Sequence, residues 1–381
     1  MTHGYRDIVA IPRARGLLLA LVAAWLAFGM VGLGLFLAAS ETTGSNAAAG
    51  LVVATFSAGA GLVAPLRGRL IDRRGARAWL PVFGTCHALG LTAFAITVAL
   101  EGDAWLLALT AGVAGASAPP IVASTRASWA AVVGPKLLRR AYALTAVVGD
   151  VLFVAGPPLA ALLFAVAPWV PPVVVAALGL LAVTLVAGVA PRVTREGGPK
   201  PDRTLLRRLE AVLAVEVALG VALGAMEVAV PIAAREWDAL GASGLLLGAF
   251  ALGSAIGGVW FGRRAWVMGP ERRFLVSALI LAPVFTLPAL AGGPVSLAAL
   301  LLFAGLCYGP ATISLFEALD VLAPTRAVES LTWVTTAGAI GAATGSAATG
   351  WAATHHGLAL PFGVSAALIA GAAAYGLRRR S

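Results

Sequence analysis

The chain has 381 residues, of which 60% are hydrophobic and only 12% are charged. Because soluble domains carry about 25% charged residues, this composition excludes an ordinary soluble protein. The net charge is +10, but the basic residues are confined to short connections between apolar segments. That pattern is typical of membrane topology and not of nucleic-acid binding, so we predict a protein of the lipid bilayer with no nucleic-acid partner.

Apolar segments long enough to cross a hydrocarbon core of about 30 Å recur along the whole sequence. The first of them is too long for the core of a signal peptide, so we interpret it as a retained helix. The sequence therefore predicts an all-α membrane protein of twelve transmembrane helices in two pseudo-symmetric six-helix bundles. In chain order, the predicted helices span residues 16–39, 47–67, 78–100, 104–127, 141–167, 170–190, 209–233, 243–262, 273–291, 295–319, 328–352 and 357–377.

The basic residues lie on one side of this predicted topology. All of the 27 lysines and arginines except Arg235 fall there. The opposite side instead carries five acidic residues: Glu41, Glu101, Asp103, Glu236 and Asp238. Since positively charged loops stay in the cytoplasm, we predict that both termini are cytoplasmic and that the protein is a multi-pass protein of the bacterial inner membrane.

The middle of the chain contains the one long polar connection, "APRVTREGGPKPDRTLLRR". It predicts an N-terminal six-helix bundle at 1–190, a cytoplasmic central loop at 191–208 and a C-terminal six-helix bundle at 209–381. The halves also resemble each other, because Gly68 and Arg73 find counterparts 190 residues later in Gly258 and Arg263. Repeated halves of this kind are common in secondary transporters.

The stretch "GRLIDRRGAR" at residues 68–77, between predicted helices 2 and 3, resembles the signature loop of the major facilitator superfamily. The resemblance implies that this signature loop latches the cytoplasmic gate. Gly68 would let helix 2 approach the other half closely, and Gly75 would permit a tight turn. Asp72 would face the start of helix 11, while Arg73 and Arg77 would hold the loop near phosphate headgroups. The alternative is that the loop only fixes topology.

Helix 5 carries a second resemblance, in Gly149, Gly156 and Pro157. Antiporters of the superfamily have a similar glycine-proline motif here, whereas the alternative is a proline kink with small residues for packing. Three further pairs of small residues predict close packing between the halves: Gly253 with Gly257, Gly341 with Gly345, and Ser346 with Gly350.

Three carboxylates within predicted helices stand out as candidates at membrane depth: Asp150, Glu216 and Glu227. Charge at membrane depth costs about 2.5–3.5 kcal/mol, so such groups are functional candidates. Glu216 and Glu227 are eleven residues apart on helix 7, which is within about 20° of a whole number of turns. They therefore share one helix face, and we predict a role for all three in proton coupling or substrate binding. The alternative is that the two glutamates reach water at the membrane interfaces.

A group of charged residues at the cytoplasmic ends of helices predicts a second part of the gate. Its members are Arg126, Glu317, Asp320, Arg326 and Glu329.

The leading functional prediction is proton-coupled efflux of a small apolar or drug-like compound by a transporter that works as a monomer. The nearest alternative is a transporter of a sugar or another metabolite, and a membrane receptor or scaffold ranks last. The sequence lacks a Walker-type loop, a metal-ligand cluster and a nucleophile elbow, so we predict neither an enzyme nor a bound cofactor or metal.

Overall fold

The computed structural model describes residues 5–190, 203–264, 266–323, 327–355 and 357–379. Within these ranges the side chains of some residues are not described, among them Asp72, Arg126 and Asp150. The described chain is helical and contains no strand. The predicted all-α fold is therefore confirmed.

Twelve long helices follow a short helix at Tyr5–Ala10. In the first half they are α1 (Pro12–Thr43), α2 (Asn46–Arg74), α3 (Ala76–Ala99), α4 (Ala104–Ala116), α5 (Ile121–Phe164) and α6 (Val170–Val189). In the second half they are α7 (Arg203–Glu236), α8 (Ser243–Gly262), α9 (Pro270–Val284), α10 (Pro294–Leu322), α11 (Ala327–His355) and α12 (Ala359–Arg378).

Eleven candidate spans in the described chain are long and apolar enough to cross a membrane. Helix α11 is long enough, at 29 residues, but it is not among the eleven. Its sequence is rich in threonine, serine and glycine, and it packs against α2 and α7. Small residues of this kind suit a helix that touches other helices closely inside a membrane bundle.

The predicted helix 4 agrees with the candidate span Ala104–Thr125, but the helix is interrupted inside that span, between Ala116 and Ile121. The cause is the pair Pro119 and Pro120, because proline has no amide donor and disfavours helical geometry in the residue before it. The segment α5 consists of two helices that meet at Gly134, whose φ is 69°. Arg126 lies in the first of them, and the candidate span Arg140–Phe164 lies in the second.

The bundle has two chemically different ends. The acidic end carries Glu41, Glu101, Asp103, Glu236 and Asp238, and the arginine-rich end carries Arg73, Arg74, Arg77, Arg263 and Arg264. Helix α7 begins at Arg203, earlier than the predicted start at 209, and residues 191–202 of the predicted central loop lie outside the described residues.

The halves contact each other chiefly through α2 with α11 and α5 with α8, and also through α1 with α7 and α2 with α7. On α2, the glycines 50, 61 and 68 share one face, because they are separated by whole numbers of turns to within about 20°. A Cβ on Gly50 would lie 3.0 Å from the Cα of Gly350 on α11, and a Cβ on Gly61 would overlap Ala339. A Cβ on Gly68 would meet nothing within 4 Å. Helices α2 and α11 therefore touch at the acidic end and diverge towards the arginine-rich end.

Of the three predicted pairs, Ser346 with Gly350 does pack between the halves, because a Cβ on Gly50 of α2 would lie 2.6 Å from the carbonyl oxygen of Ser346 and 3.0 Å from the Cα of Gly350. The two glycine pairs do not pack between the halves. Cβ atoms on Gly253 and Gly257 would overlap the backbone of α10, and Cβ atoms on Gly341 and Gly345 would overlap the backbone of α7. All four therefore bring helices of the second half together. Two small residues four positions apart allow another helix to approach closely, but the pattern does not indicate whether that helix belongs to the same half or to the other half.

Candidate functional site

The signature loop forms the turn between α2 and α3. Gly75 has a φ of 84°, a backbone conformation that favours glycine, and its amide donates to the carbonyl of Ile71 at 2.7 Å. The tight turn predicted at Gly75 is thus confirmed. Arg73 is exposed in the last turn of α2. The side chain of Asp72 lies outside the described residues, so its latch remains a prediction. The close approach predicted for Gly68 is absent because α2 and α11 diverge at its level.

Arg77 joins the signature loop to α6 in the same half. Its Nε donates to the carbonyl of Ala187 at 3.0 Å, and its Nη2 donates to the carbonyl of Gly188 at 2.9 Å. The last carbonyls of a helix lack intrahelical donors and carry partial negative charge. Arg77 therefore caps α6 and fixes the loop against its own bundle.

Arg67, one residue before the signature loop, is buried and caps α4. Its Nη1 donates to the carbonyls of Gly115 at 2.9 Å and Ala116 at 3.1 Å, and its Nη2 donates to the carbonyl of Ala60. Among them, the carbonyl of Ala116 is the one that the break at Pro119 leaves without a helical donor, because Gly115 also accepts from the amide of Ala118 at 3.0 Å. Sequence reasoning treated Arg67 only as a topology charge. The sequence feature that could have indicated a buried role for Arg67 is its position at the end of an apolar segment.

Glu227 lies at the contact between the halves. Its carboxylate rests against Gly32 on α1, so closely that a Cβ on Gly32 would overlap it. The side chain is partly buried, and no hydrogen bond or ion pair joins it to another described residue. A carboxylate of the second half thus touches the backbone of the first half within the spans that cross the membrane.

Glu216 lies on the same helix, further towards the arginine-rich end. A Cβ on Gly338 of α11 would be 3.2 Å from its Oε1, and Tyr308 of α10 is near enough to interact with its charge. Glu216 is partly buried, like Glu227. The structure therefore places both glutamates of the shared face against neighbouring helices.

Three aromatic rings form a row between α1 and α5 in the first half. The rings of Trp25 and Phe28 are 5.9 Å apart, and those of Phe28 and Phe153 are also 5.9 Å apart. Phe28 is 63% exposed, and it shares a face of α1 with Gly32, one turn away. On that face, Gly32 contacts Glu227 of the second half. We call the rings of Trp25, Phe28 and Phe153 the aromatic wall. A Cβ on Gly149 would lie 2.9 Å from the Trp25 ring, so Gly149 of the predicted motif packs against this wall. The side chain of Asp150 lies outside the described residues.

The glycine-proline motif of α5 lies where three helices meet. A Cβ on Gly156 would be 2.6 Å from the Cα of Gly29 on α1. A Cβ on Gly244 of α8 would overlap the carbonyl of Pro157 and lie 2.6 Å from the Cα of Pro158. The motif thus joins α1, α5 and α8, and α8 belongs to the other half.

The second predicted part of the gate is only partly assembled. Glu317 forms an ion pair with Arg273 of α9, whose Nε also donates to Ser314 Oγ at 3.3 Å. Asp320 is exposed on α10, and Glu329 is in the first turn of α11. Arg326 and the side chain of Arg126 lie outside the described residues. The described partner of Glu317 is thus in its own half, which sequence spacing did not predict.

The acidic end is closed by a polar contact that sequence reasoning also missed. Arg235 Nη2 at the end of α7 donates to Ser40 Oγ of α1 at 3.1 Å and lies 3.8 Å from Glu41 Oε2. Together with Glu227 at Gly32, it connects α7 to α1.

The site thus lies in a multi-pass membrane protein of two helical halves, with Glu227 of one half against Gly32 of the other. Residues 17–327 match the family model of the Major Facilitator Superfamily. The chain belongs to this superfamily, whose transporters bind small-molecule substrates within the membrane. No curated protein sequence matches the chain.

Solved structures of the superfamily share the fold. The crystal structure of the nucleoside transporter NupG matches with a TM-score of 0.73 and 12% identity, covering 97% of this chain and 99% of NupG. The human organic anion transporter MFSD10 (TETRAN) matches with a TM-score of 0.65 and 18% identity, covering 96% of this chain and 99% of MFSD10. At these identities the likeness shows the fold alone.

Proposed function

We propose that this protein is a proton-coupled secondary transporter that exports a small apolar or drug-like compound by alternating access. In the proposed orientation the arginine-rich end and both termini are cytoplasmic, in a bacterial inner membrane. The contacts at the acidic end then correspond to a state closed to the outside. The aromatic wall of Trp25, Phe28 and Phe153 supports an apolar substrate, because rings of this kind offer large apolar contact areas.

The observation that carries the proposal is the position of Glu227 between the halves. A charged carboxylate is costly at membrane depth, and Glu227 is packed there against the backbone of Gly32. We expect Glu227 to bind a proton from the outside when the acidic end is open to water, to keep it while the halves close over the side chain, and to release it towards the cytoplasm through the arginine-rich end. A group whose charge differs between two conformations links proton binding to their equilibrium.

Neutralising Glu227 should uncouple transport. Glu227→Gln keeps the side-chain volume but exchanges no proton, so we expect pH-driven efflux to fall to the level of protein-free liposomes while substrate counterflow persists. Glu216→Gln and Asp150→Asn test the other two candidates. Glu210→Gln is the matched control, since Glu210 is on the same helix but bonds to Tyr375 and Arg379 at its exposed end. Wild-type pH dependence of driven transport in Glu227→Gln would remove this residue from the coupling role.

The signature loop is proposed to latch the arginine-rich end when that end closes. The same transport assay tests it, because Asp72→Asn should slow transport without loss of folded protein. An unchanged rate would reduce the loop to a topology signal.

The proposed orientation has its own test. A reporter fused after Glu101 should respond outside the cytoplasm, and one fused within residues 195–203 should respond inside it. Responses from the same side would contradict the orientation and the helix count.

A metabolite transporter is the second candidate function. The likeness to a nucleoside transporter over 97% of the chain is as compatible with it as with drug efflux. An uptake and efflux screen of apolar drugs, nucleosides, sugars and organic anions in a susceptible host separates the two. Export of the apolar compounds alone supports the leading proposal.

A further inference from the structure

We propose that Arg235, with Ser40 and Glu41, is a gate that holds the acidic end of the transporter closed. The inference rests on the proposed alternating-access function and adds to it the residues that set the balance between its two states. Arg235 is the only basic residue that the sequence places on this side, among five acidic ones. A lone cation there is not needed for topology.

The contact is specific in its geometry. Ser40 is buried, and its hydroxyl donates to the carbonyl of Leu37 at 3.1 Å while accepting from Arg235 at 3.1 Å. The acceptor is therefore held in place before Arg235 reaches it. Arg235 also lies at the carboxyl ends of both α1 and α7, where cations are favoured by the helix dipoles.

The contact depends on the state of the transporter, because it joins the two halves. Ser40 and Glu41 end the first helix of one half, and Arg235 ends the first helix of the other. Any movement that opens the acidic end between α1 and α7 separates these groups. An interaction present in only one of two conformations shifts their equilibrium by its own free energy.

The expected shift is moderate. The side chains of Arg235 and Glu41 are 37% and 56% exposed, so solvent screens their attraction. We expect the ratio of open to closed acidic ends to rise about three- to tenfold when the gate is removed. Arg235 is thus a positioning residue, since nothing places it against a substrate.

The experiment measures the distance across the acidic end in the purified full-length protein without substrate. Spin labels at Val166→Cys and Val295→Cys report it, because both positions are highly exposed and belong to different halves. The native Cys86 and Cys307 are first replaced by serine and alanine. Arg235→Ala and Glu41→Ala should both enlarge the long-distance population in pulsed electron resonance. The double variant Arg235→Glu with Glu41→Arg should restore most of the closed population.

Arg379→Ala is the matched control. Arg379 pairs with Glu210 at similar exposure, 45% and 44%, but both residues are in the second half. An unchanged distance distribution in Arg235→Ala, or an equal shift in Arg379→Ala, would overturn the gate. The result is independent of proton coupling, because no substrate or gradient is present. If the wild-type protein shows no pH-driven transport but Arg235→Ala still shifts the distance distribution, the proposed function is refuted and the gate is supported.

Discussion

Gly156→Leu should abolish the folded, transport-competent protein. A Cβ at this position would lie 2.6 Å from the Cα of Gly29, so the backbones of α1 and α5 are already in contact. Overpacking of this kind costs about 1–3 kcal/mol or more, and helices in a bilayer gain their association mainly from close packing. Because Pro157 next to it contacts α8, the displacement would extend to the junction between the halves.

The measurement is the yield of monodisperse protein and its thermal unfolding midpoint in detergent. Gly188→Leu is the control, since a Cβ on Gly188, also in a first-half helix, meets nothing within 4 Å. We expect the control to behave like the wild type and Gly156→Leu to be recovered poorly or to unfold at a markedly lower temperature. Equal midpoints for the two variants would show that the crossing of α1 and α5 is not as close as described.

Arg67→Met should be the most destabilising removal of a single charge. Methionine preserves much of the apolar length of the side chain but leaves the carbonyls of Ala60, Gly115 and Ala116 without this donor. The carbonyl of Gly115 keeps the amide of Ala118 and Ala60 lies inside helix α2, so Ala116 is the carbonyl left without a donor. A buried unsatisfied group costs about 1–3 kcal/mol, and we expect a loss of about that size in the free energy of unfolding. The end of α4 would also lose its attachment to α2.

Arg69→Met provides the comparison, because Arg69 is exposed two residues further along the same helix. The measurement is the thermal unfolding midpoint of the two variants in the same detergent. We expect a large decrease in the midpoint only for Arg67→Met. A wild-type midpoint for Arg67→Met would mean that the carbonyls at the end of α4 find other donors.

Features that depend on local pattern were predictable from the sequence. Apolar segments gave the all-helical membrane fold, and the turn at Gly75 follows from the need for a positive φ. The break after α4 was available from Pro119 and Pro120, but the hydrophobic run across them concealed it. The common face of Glu216 and Glu227 followed from helical periodicity alone.

Features that depend on distant partners were not predictable. Arg235 and Ser40 are 195 residues apart, and Arg67 bonds to carbonyls 48 and 49 residues away. Backbone acceptors carry no sequence signal, so spacing cannot identify them. The case of Gly68 is different, because in the proposed mechanism its predicted contact would form in a conformation in which the arginine-rich end is closed. One sequence encodes both conformations, whereas the structure shows one.

The central claim is that substrate movement and proton movement are coupled through this membrane bundle. Proteoliposomes with an imposed pH gradient and an internal pH dye test it most directly, once a transported compound has been found. We predict that adding this compound dissipates the gradient in wild-type liposomes and leaves it intact in Glu227→Gln liposomes that still perform counterflow. Transport of the compound with no change in the wild-type pH gradient would contradict the account.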